Sequence, residues 1–169
     1  HKTQIMVNDK TYNNLVDTLE QLGNNHFQIK TVTSGDIFEI DLEKNTLFPL
    51  MHINPVNVTA SKSQFIFNFQ IFVMDLVEPD ESNEQEVLSD CLSMCTDIIS
   101  TFKHGKSLNH YEASHGDIPQ YFVDDSFTLE PFTERFDNSV TGWVFNLPVI
   151  VEQSFESCNI PQPTTQIGK

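Results

Sequence analysis

Histidine is the residue type that most readily suggests chemistry in this chain, because three histidines fall close together. His104, His110 and His115 lie within 12 residues, with Glu112 between them and Asp117 just after. Imidazole and carboxylate groups bind zinc, but known zinc motifs use closely spaced pairs of ligands. Spacings of six and five residues match no such motif. We therefore predict a polar loop with no metal and no cofactor, and keep a metal enzyme centred on this loop as an alternative.

The cysteines and carboxylates also form no catalytic pattern. Cys91 and Cys95 fall four residues apart in the apolar stripe of a predicted helix, where cysteine packs as a small hydrophobic side chain. Cys158 makes the count odd, which favours a reducing compartment over a disulfide framework. The acidic stretches 78–86 and 124–125 are typical of turns and helix caps. We predict that the chain is not an enzyme and has no catalytic residues, although a hydrolase that uses two carboxylates stays open.

Composition limits the partners that the chain can bind. Nine Lys plus Arg against 24 Asp plus Glu give a formal net charge of −15. Such a surface repels nucleic acid, so a DNA-binding enzyme is disfavoured, whereas a wall past which DNA slides is compatible with it. The sequence has no apolar run of the length that spans a bilayer and no signal-peptide pattern at residues 1–9, so we predict no membrane contact.

The longest nearly continuous apolar run, from Ser63 to Val77, predicts the strand around which the domain is built. The odd positions from Phe65 onward are apolar, whereas Asn68 and Gln70 interrupt the even positions. This alternation is typical of a strand with one face on a core and the other only partly wet. Because such a run would promote aggregation at a free edge, we predict a central strand or one covered by a partner.

Two amphipathic helices are predicted to cover the sheet. Apolar residues recur at helical spacing over residues 10–22, with Gly23 closing the helix, and again over residues 84–103. The fold class is therefore α+β, a single domain with a mostly antiparallel sheet. We predict that this domain spans residues 1–160 and that residues 161–169 form an extended tail.

The remaining strand signals predict further pairing. Residues 26–33 and 36–42 alternate and are separated by a turn, which predicts a hairpin. Residues 56–60 are expected to form a second hairpin with the central strand. Residues 118–131 are strand-like, and a long strand is predicted over residues 140–155, where Pro148 suggests a sheet edge.

The segment 47–53 is the main candidate for a subunit contact. Prolines within and just after it, Pro49 and Pro55, disfavour a central strand, so we predict an edge strand or loop with exposed apolar side chains. The alternative is that the segment plugs one end of the core. With the half-polar face of the central strand, the predicted interface residues are Leu47, Phe48, Leu50, Met51, Ile53, Asn68 and Gln70.

The C-terminal third carries a resemblance to a known family. Val140 to Leu147, with the sequence VTGWVFNL, and Glu152 to Pro161, with the sequence EQSFESCNIP, resemble the C-terminal strand of virion proteins from tailed bacteriophages. The helix from Asn14 to Gly23, the hairpin at Gly35 to Glu39 and the long helix after the central sheet complete a layout similar to the tail terminator and head–tail joining family. The resemblance covers most of the chain by order of elements.

This resemblance implies a ring-forming neck or tail adaptor that joins head to tail around the DNA channel. Its subunits would pack edge to edge, beside other phage neck, tail or portal-side proteins, in a virion assembled in the bacterial host cytoplasm. DNA would pass through the ring without specific binding, and no active site would be present. The alternative is a non-viral binding or regulatory α+β module that holds a protein or small ligand; a closed symmetric oligomer favours the ring and a tight monomer the module.

Overall fold

The computed structural model describes residues 11–36, 46–104, 121–123, 126–135 and 139–152. These residues form two helices and six strands that belong to one α+β domain, as predicted. In chain order the elements are α1 (Thr11–Asn25), β1 (Thr31–Ser34), β2 (Leu50–Ser61), β3 (Gln64–Leu76), α2 (Glu84–His104), β4 (Tyr121–Phe122), β5 (Leu129–Arg135) and β6 (Ser139–Glu152). The predicted tail and the domain boundary at residue 160 lie outside the described residues.

The sheet is mostly antiparallel and has β3 at its centre. Its strand order is β1-β2-β3-β6-β4, and β5 also pairs with β6. The β1–β2 pair is parallel, whereas β2–β3, β3–β6, β4–β6 and β5–β6 are antiparallel. The predicted central strand is therefore confirmed, and so is the hairpin that joins β2 to β3.

The apolar face of β3 lies beneath the helices. Phe67, Phe69 and Ile71 are buried, and their partners across β6 in the register, from Val149 to Phe145, are also buried. Full burial of a side chain of this size contributes about 1.5–3 kcal/mol. The strict alternation of β3 thus places its large side chains in the main core, as the sequence predicts.

Helix α1 packs on this core but does not end where the sequence predicts. Leu15 and Leu19 are fully buried, and the ring of Tyr12 stacks on Phe69. The helix continues through Gly23 to Asn25, so the prediction that Gly23 closes it is wrong. A Cβ at Gly23 would lie 2.7 Å from Met51 Sδ and 2.7 Å from Val32 Cγ2. This glycine is therefore explained by close contact between helix and sheet rather than by capping.

Helix α2 begins at Glu84 as predicted and ends at His104, one residue beyond the predicted end. The backbone carbonyl of Asn83 accepts the bond from Val87 N, and Glu84 and Glu86 occupy the positive N-terminal turn. The indole Nε1 of Trp143 donates to the Leu88 carbonyl at 2.7 Å, which fixes the helix across β6. Its buried stripe consists of Val87, Cys91, Met94, Cys95, Ile98 and Phe102.

A buried histidine joins β1 to β2. Gly35 has a φ of 125°, which glycine tolerates without the steric cost of a side chain, and its N–H donates to the Ile53 carbonyl at 3.0 Å. His52 Nε2 donates to the Gly35 carbonyl at 2.9 Å, while the His52 Nδ1 to Thr33 Oγ1 distance is 2.7 Å. These bonds hold the four-residue strand β1 in parallel pairing.

Strand β2 corrects the prediction drawn from its prolines. Its first residues pair with β1 on one side and β3 on the other, so this part is an interior strand. Pro55 lies beyond the last residue that pairs with β1, at a bulge between Pro55 and Asn57. A missing N–H costs little where the strand has one neighbour. The proline therefore marks the point at which β2 becomes an edge.

Two other strand predictions also need correction. β6 lies between β3 and the pair β4 and β5, so Pro148 is not on an edge strand. The register places Pro148 between the parts of β6 that pair with β5 and with β4, where a missing donor is tolerated.

The predicted N-terminal hairpin is tested only in its first strand, and its pairing stays a prediction. Its first strand shortens to β1, whose described partner is β2, and its predicted second strand lies almost wholly outside the described residues.

Candidate assembly surface

Three predicted interface residues are buried inside the chain itself. Leu50, Met51 and Ile53 have almost no exposed surface. Leu50 packs with Met74 and Val140 in a second, small cluster, whereas Met51 and Ile53 belong to the main core. The expectation of exposed side chains at these three positions is wrong, because β2 starts as an interior strand. The alternative, that this segment fills one end of the core, describes them correctly.

The start of the same segment is exposed as predicted. Leu47 keeps 65% of its surface exposed, and Phe48 is half-buried against the cluster that contains Leu50. Thr31 Oγ1 donates to the Leu47 carbonyl at 2.6 Å. The backbone beneath this exposed leucine is therefore fixed to the start of β1.

The two predicted polar residues of β3 are satisfied by neighbouring side chains of β2. Asn54 Nδ2 donates to Gln70 Oε1 at 3.0 Å, and Asn68 Nδ2 donates to Asn57 Oδ1 at 2.7 Å. These cross-strand amide pairs lie on either side of the bulge at Val56. Each amide group retains a further donor or acceptor, because Asn and Gln side chains can make several hydrogen bonds. Hydrogen bonds within the chain thus explain the polar residues on this face of β3, and their amide groups can still bond to a neighbouring molecule.

The second half of β2 has one described neighbour, β3. Within the described residues, no strand pairs with the outer side of residues 54–61. We call residues 55–61 the β2 edge. All of them are exposed, and Val56 and Val58 retain 51% and 49% of their surface. Unpaired N–H and C=O groups along such an edge are a template for another strand.

The β2 edge carries two of the features that protect natural sheet edges, but only at its inner end. Proteins usually block exposed edges with charges, prolines, bulges or short strands. Pro55 and the bulge stand at the inner end, but residues 57–61, with the sequence NVTAS, carry no charge. In contrast, the edge strand β5 contains Glu130 and Pro131 among its seven residues. β2 is therefore the edge better suited to pairing with another chain.

Val56 and Val58 were not among the predicted interface residues. Their predicted place in a hairpin strand is correct, but the absence of a second described neighbour depends on where β1 ends. The sequence does contain a signal for this surface, namely an uncharged run with β-branched residues before the Lys62-Ser63 turn in a strongly acidic chain.

The two cysteine thiols of α2 are unreactive. Burial raises the pKa of the Cys91 thiol to about 12, with the carboxylates of Asp75 and Asp90 adding to the effect. Burial likewise raises the pKa of the Cys95 thiol to about 12, and Cys91 contributes. Because the thiolate is the nucleophile, both groups are inert at neutral pH. Their prediction as small buried hydrophobic side chains is confirmed.

Asp75 is a second half-buried group beside α2. Burial raises the pKa of its carboxyl, the charge of Asp90 raises it further, and the backbone N–H of Leu76 opposes these effects by donating to Oδ1 at 2.7 Å. The folded state therefore disfavours the charged form of Asp75 relative to the unfolded chain.

No metal site is present among the residues that the structure describes, where no group of three or more His, Cys, Asp and Glu side chains could hold an ion. The polar loop predicted at residues 106–117 lies outside this part of the chain. Its histidines therefore stay a sequence-level alternative. Neither of the two described helices is long and apolar enough to cross a membrane.

Comparison of the chain with protein-family models and with curated proteins found no match. Function is therefore inferred from the surfaces described above.

Proposed function

We propose that this protein is a structural subunit that assembles with copies of itself through the β2 edge. The assembly is a closed ring at the neck or tail of a tailed bacteriophage virion, as the resemblance in the sequence implies. The observation that carries the proposal is the exposed, uncharged strand edge in a chain of net charge −15. Pairing of this edge with a different surface of the neighbouring subunit satisfies its backbone groups and covers Val56 and Val58, and such a head-to-tail contact is the kind that closes a ring.

Electrostatics explains why such an edge is suited to assembly. Copies that each carry a large negative charge repel one another, and contact is least opposed where charge is absent. Added salt screens the remaining repulsion, with a screening length of about 8 Å at physiological ionic strength. Assembly should therefore strengthen as the salt concentration rises.

The same charge is consistent with a ring around DNA. An acidic inner wall repels phosphates, so DNA passes through the channel without being held. The protein in this proposal binds no cofactor and catalyses no reaction. Its partners are copies of itself and other neck, tail or portal-side proteins of the virion.

A strand edge also accepts an extended peptide, so the alternative of a non-viral binding module has support from the same feature. In β-augmentation, one peptide adds to the sheet and the protein stays monomeric. Stoichiometry separates the two functions, because assembly gives a mass that is a multiple of the chain mass of 19.3 kDa.

The experiment compares the wild-type chain with Val58→Lys and Leu92→Lys by native mass spectrometry and negative-stain microscopy. Both variants replace an exposed apolar residue with lysine, but Val58 lies on the β2 edge and Leu92 on the outer side of α2. We expect rings from the wild type and from Leu92→Lys, and monomers from Val58→Lys. Circular dichroism and thermal unfolding establish that each variant is folded.

Two results would overturn the proposal. One is a wild-type chain that stays monomeric at about 100 μM, well above the micromolar dissociation constants of ordinary specific complexes. The other is assembly of Val58→Lys with the same mass and affinity as the wild type.

A further inference from the structure

The turn that follows α1 is closed by both the backbone and the side chain of His26. The backbone N–H of Ile29 donates to the His26 carbonyl at 3.2 Å, which closes a four-residue turn. The backbone N–H of Gln28 donates to His26 Nδ1, also at 3.2 Å, and closes the turn a second time. Asparagine and aspartate usually make this bond to the N–H two residues further on. Here it is made by a side chain that can change its charge.

Two hydrogen bonds define the protonation of this imidazole. Because Nδ1 accepts a hydrogen bond, it carries no proton, and the ring proton of the neutral form lies on Nε2. Nε2 then donates to Asp97 Oδ2 at 2.8 Å. This bond joins the turn to the exposed side of α2 and fixes the orientation of the ring. His26 is therefore held as the neutral Nε2–H tautomer.

A proton added at Nδ1 would set two donors against each other. The new Nδ1–H would point at the Gln28 N–H, and neither group can accept. Rotation of the ring by half a turn would avoid this contact, but it would also take Nε2–H away from Asp97. The bond to Asp97 becomes stronger when the ring is charged, because hydrogen bonds between ionised groups are about twice as strong as neutral ones. The backbone of the turn is therefore the part that must move.

Two charged side chains contact this turn. Asp97 binds the imidazole, and Lys30 Nζ donates to the Phe27 carbonyl at 3.2 Å. On α2, positions 93, 94, 100 and 101 lie one helical turn from Asp97 and are uncharged. On α1, residues 22–25 are uncharged, and Glu20 accepts a hydrogen bond from Ser34 Oγ at 3.1 Å. Asp97 is thus the charged partner that holds the imidazolium in place.

We infer that His26 is a pH-sensitive switch for the turn of residues 26–29. The neutral imidazole closes the turn through the Gln28 N–H, whereas the imidazolium opens it and stays bound to Asp97. Histidine is the side chain whose charge ordinarily changes between about pH 5 and 8. The inference goes beyond the proposed function and does not rest on it, because every bond involved lies within one chain.

The switch also acts on the aromatic ring that the turn carries. Phe27 retains 83% of its surface, the largest exposed fraction among the large apolar side chains that the structure describes. Its ring stacks on the imidazole of His26 with 5.8 Å between centroids and 4° between planes. Because Phe27 lies between His26 and Gln28, opening of the turn changes how this ring is presented to solvent.

The test follows hydrogen exchange of the full chain by mass spectrometry, with fragmentation that resolves the Gln28 amide. Exchange is measured at about pH 8 and about pH 5, on either side of the range in which histidine titrates, and each rate is divided by the intrinsic rate at that pH. In the wild type, we expect protection of the Gln28 amide to fall about fivefold on acidification, as loss of one hydrogen bond predicts. Amides in the centres of α2 and β3 should keep their protection.

His26→Asn is the matched variant. The amide oxygen of asparagine accepts the same hydrogen bond from the Gln28 N–H but does not take up a proton in this pH range. Gln28 should therefore be equally protected at both pH values, although every other histidine is still present. His26→Ala removes the acceptor, so protection of Gln28 should be low at both pH values.

Two results would overturn the inference. One is protection of Gln28 in the wild type that is the same at both pH values, a result that needs no variant. The other is a fall of equal size in His26→Asn, which would assign the change to a different titrating group. Circular dichroism at both pH values establishes that each protein is folded. Neither result bears on assembly through the β2 edge, so failure of the switch leaves the proposed function standing.

Discussion

Replacement of Gly142 with alanine should separate the two central strands of the sheet. Gly142 lies in β6 opposite Met74 of β3 and is buried. A Cβ added there would lie 1.9 Å from the Val73 carbonyl oxygen and 2.8 Å from Met74 Cα. Ordinary contact with a Cβ begins at 3.4 Å, and both obstructing atoms belong to the backbone. Rotation of a side chain cannot relieve the overlap, so the strands must move apart.

The size of the effect follows from what this movement disrupts. Forcing an extra methyl group into a close-packed core costs about 1–3 kcal/mol, and each weakened ladder hydrogen bond costs about 1 kcal/mol. We therefore expect a loss of at least about 3 kcal/mol, from a total stability of about 5–15 kcal/mol. For a domain of this size, that corresponds to a decrease in Tm of about 6–12 °C.

Gly23→Ala is the matched control. Its Cβ would also meet atoms at 2.7 Å, but one of them is Sδ of the flexible Met51 side chain. Alanine also favours the helix over glycine by about 1 kcal/mol, which offsets part of the clash with Met51 and Val32. The assay is thermal and urea unfolding of both variants beside the wild type. A Gly142→Ala protein that unfolds within about 2 °C of the wild type, or is more stable than Gly23→Ala, would refute this account of β3–β6 packing.

Further predictions concern carboxyl and thiol groups. Asp75→Asn should stabilise the protein at neutral pH, because burial raises the pKa of Asp75 and the charged carboxylate disfavours folding. Urea unfolding measures the difference in the free energy of unfolding between the variant and the wild type. This difference should grow as the pH rises through the raised pKa and should vanish well below 3.8, the ordinary pKa of an aspartate. Asp80→Asn should have the opposite sign, since hydrogen bonds from Ser82 lower the pKa of Asp80. In a Cys158→Ser background, Cys91 and Cys95 should react with a thiol reagent in the folded protein no faster than the fold opens; rapid labelling of the native state would contradict their burial.

The sequence predicted those parts of the fold that depend on local periodicity. The spacing of apolar residues located α2 and the alternation located β3, because each pattern reports which side of one element meets the core. Long-range pairing was harder to predict. Whether Pro55 and Pro148 mark edges depends on where the neighbouring strands end, and neither strand's own residues contain that information.

The candidate surface was predicted only in part for the same reason. Leu47 was correctly expected to be exposed, but Leu50 became buried because β1 pairs beside it. The bond between His26 and Asp97 was not predicted either, since the two residues are 71 positions apart in the chain. Such contacts require the folded structure.

The most direct test of the account is the mass of the native wild-type assembly compared with that of Val58→Lys. Assembly through the β2 edge predicts a closed ring whose mass is a fixed multiple of 19.3 kDa, visible in negative stain, and a folded monomer for the variant. A wild-type protein that stays monomeric at about 100 μM, or a Val58→Lys variant that forms the same ring, would contradict assembly through the β2 edge.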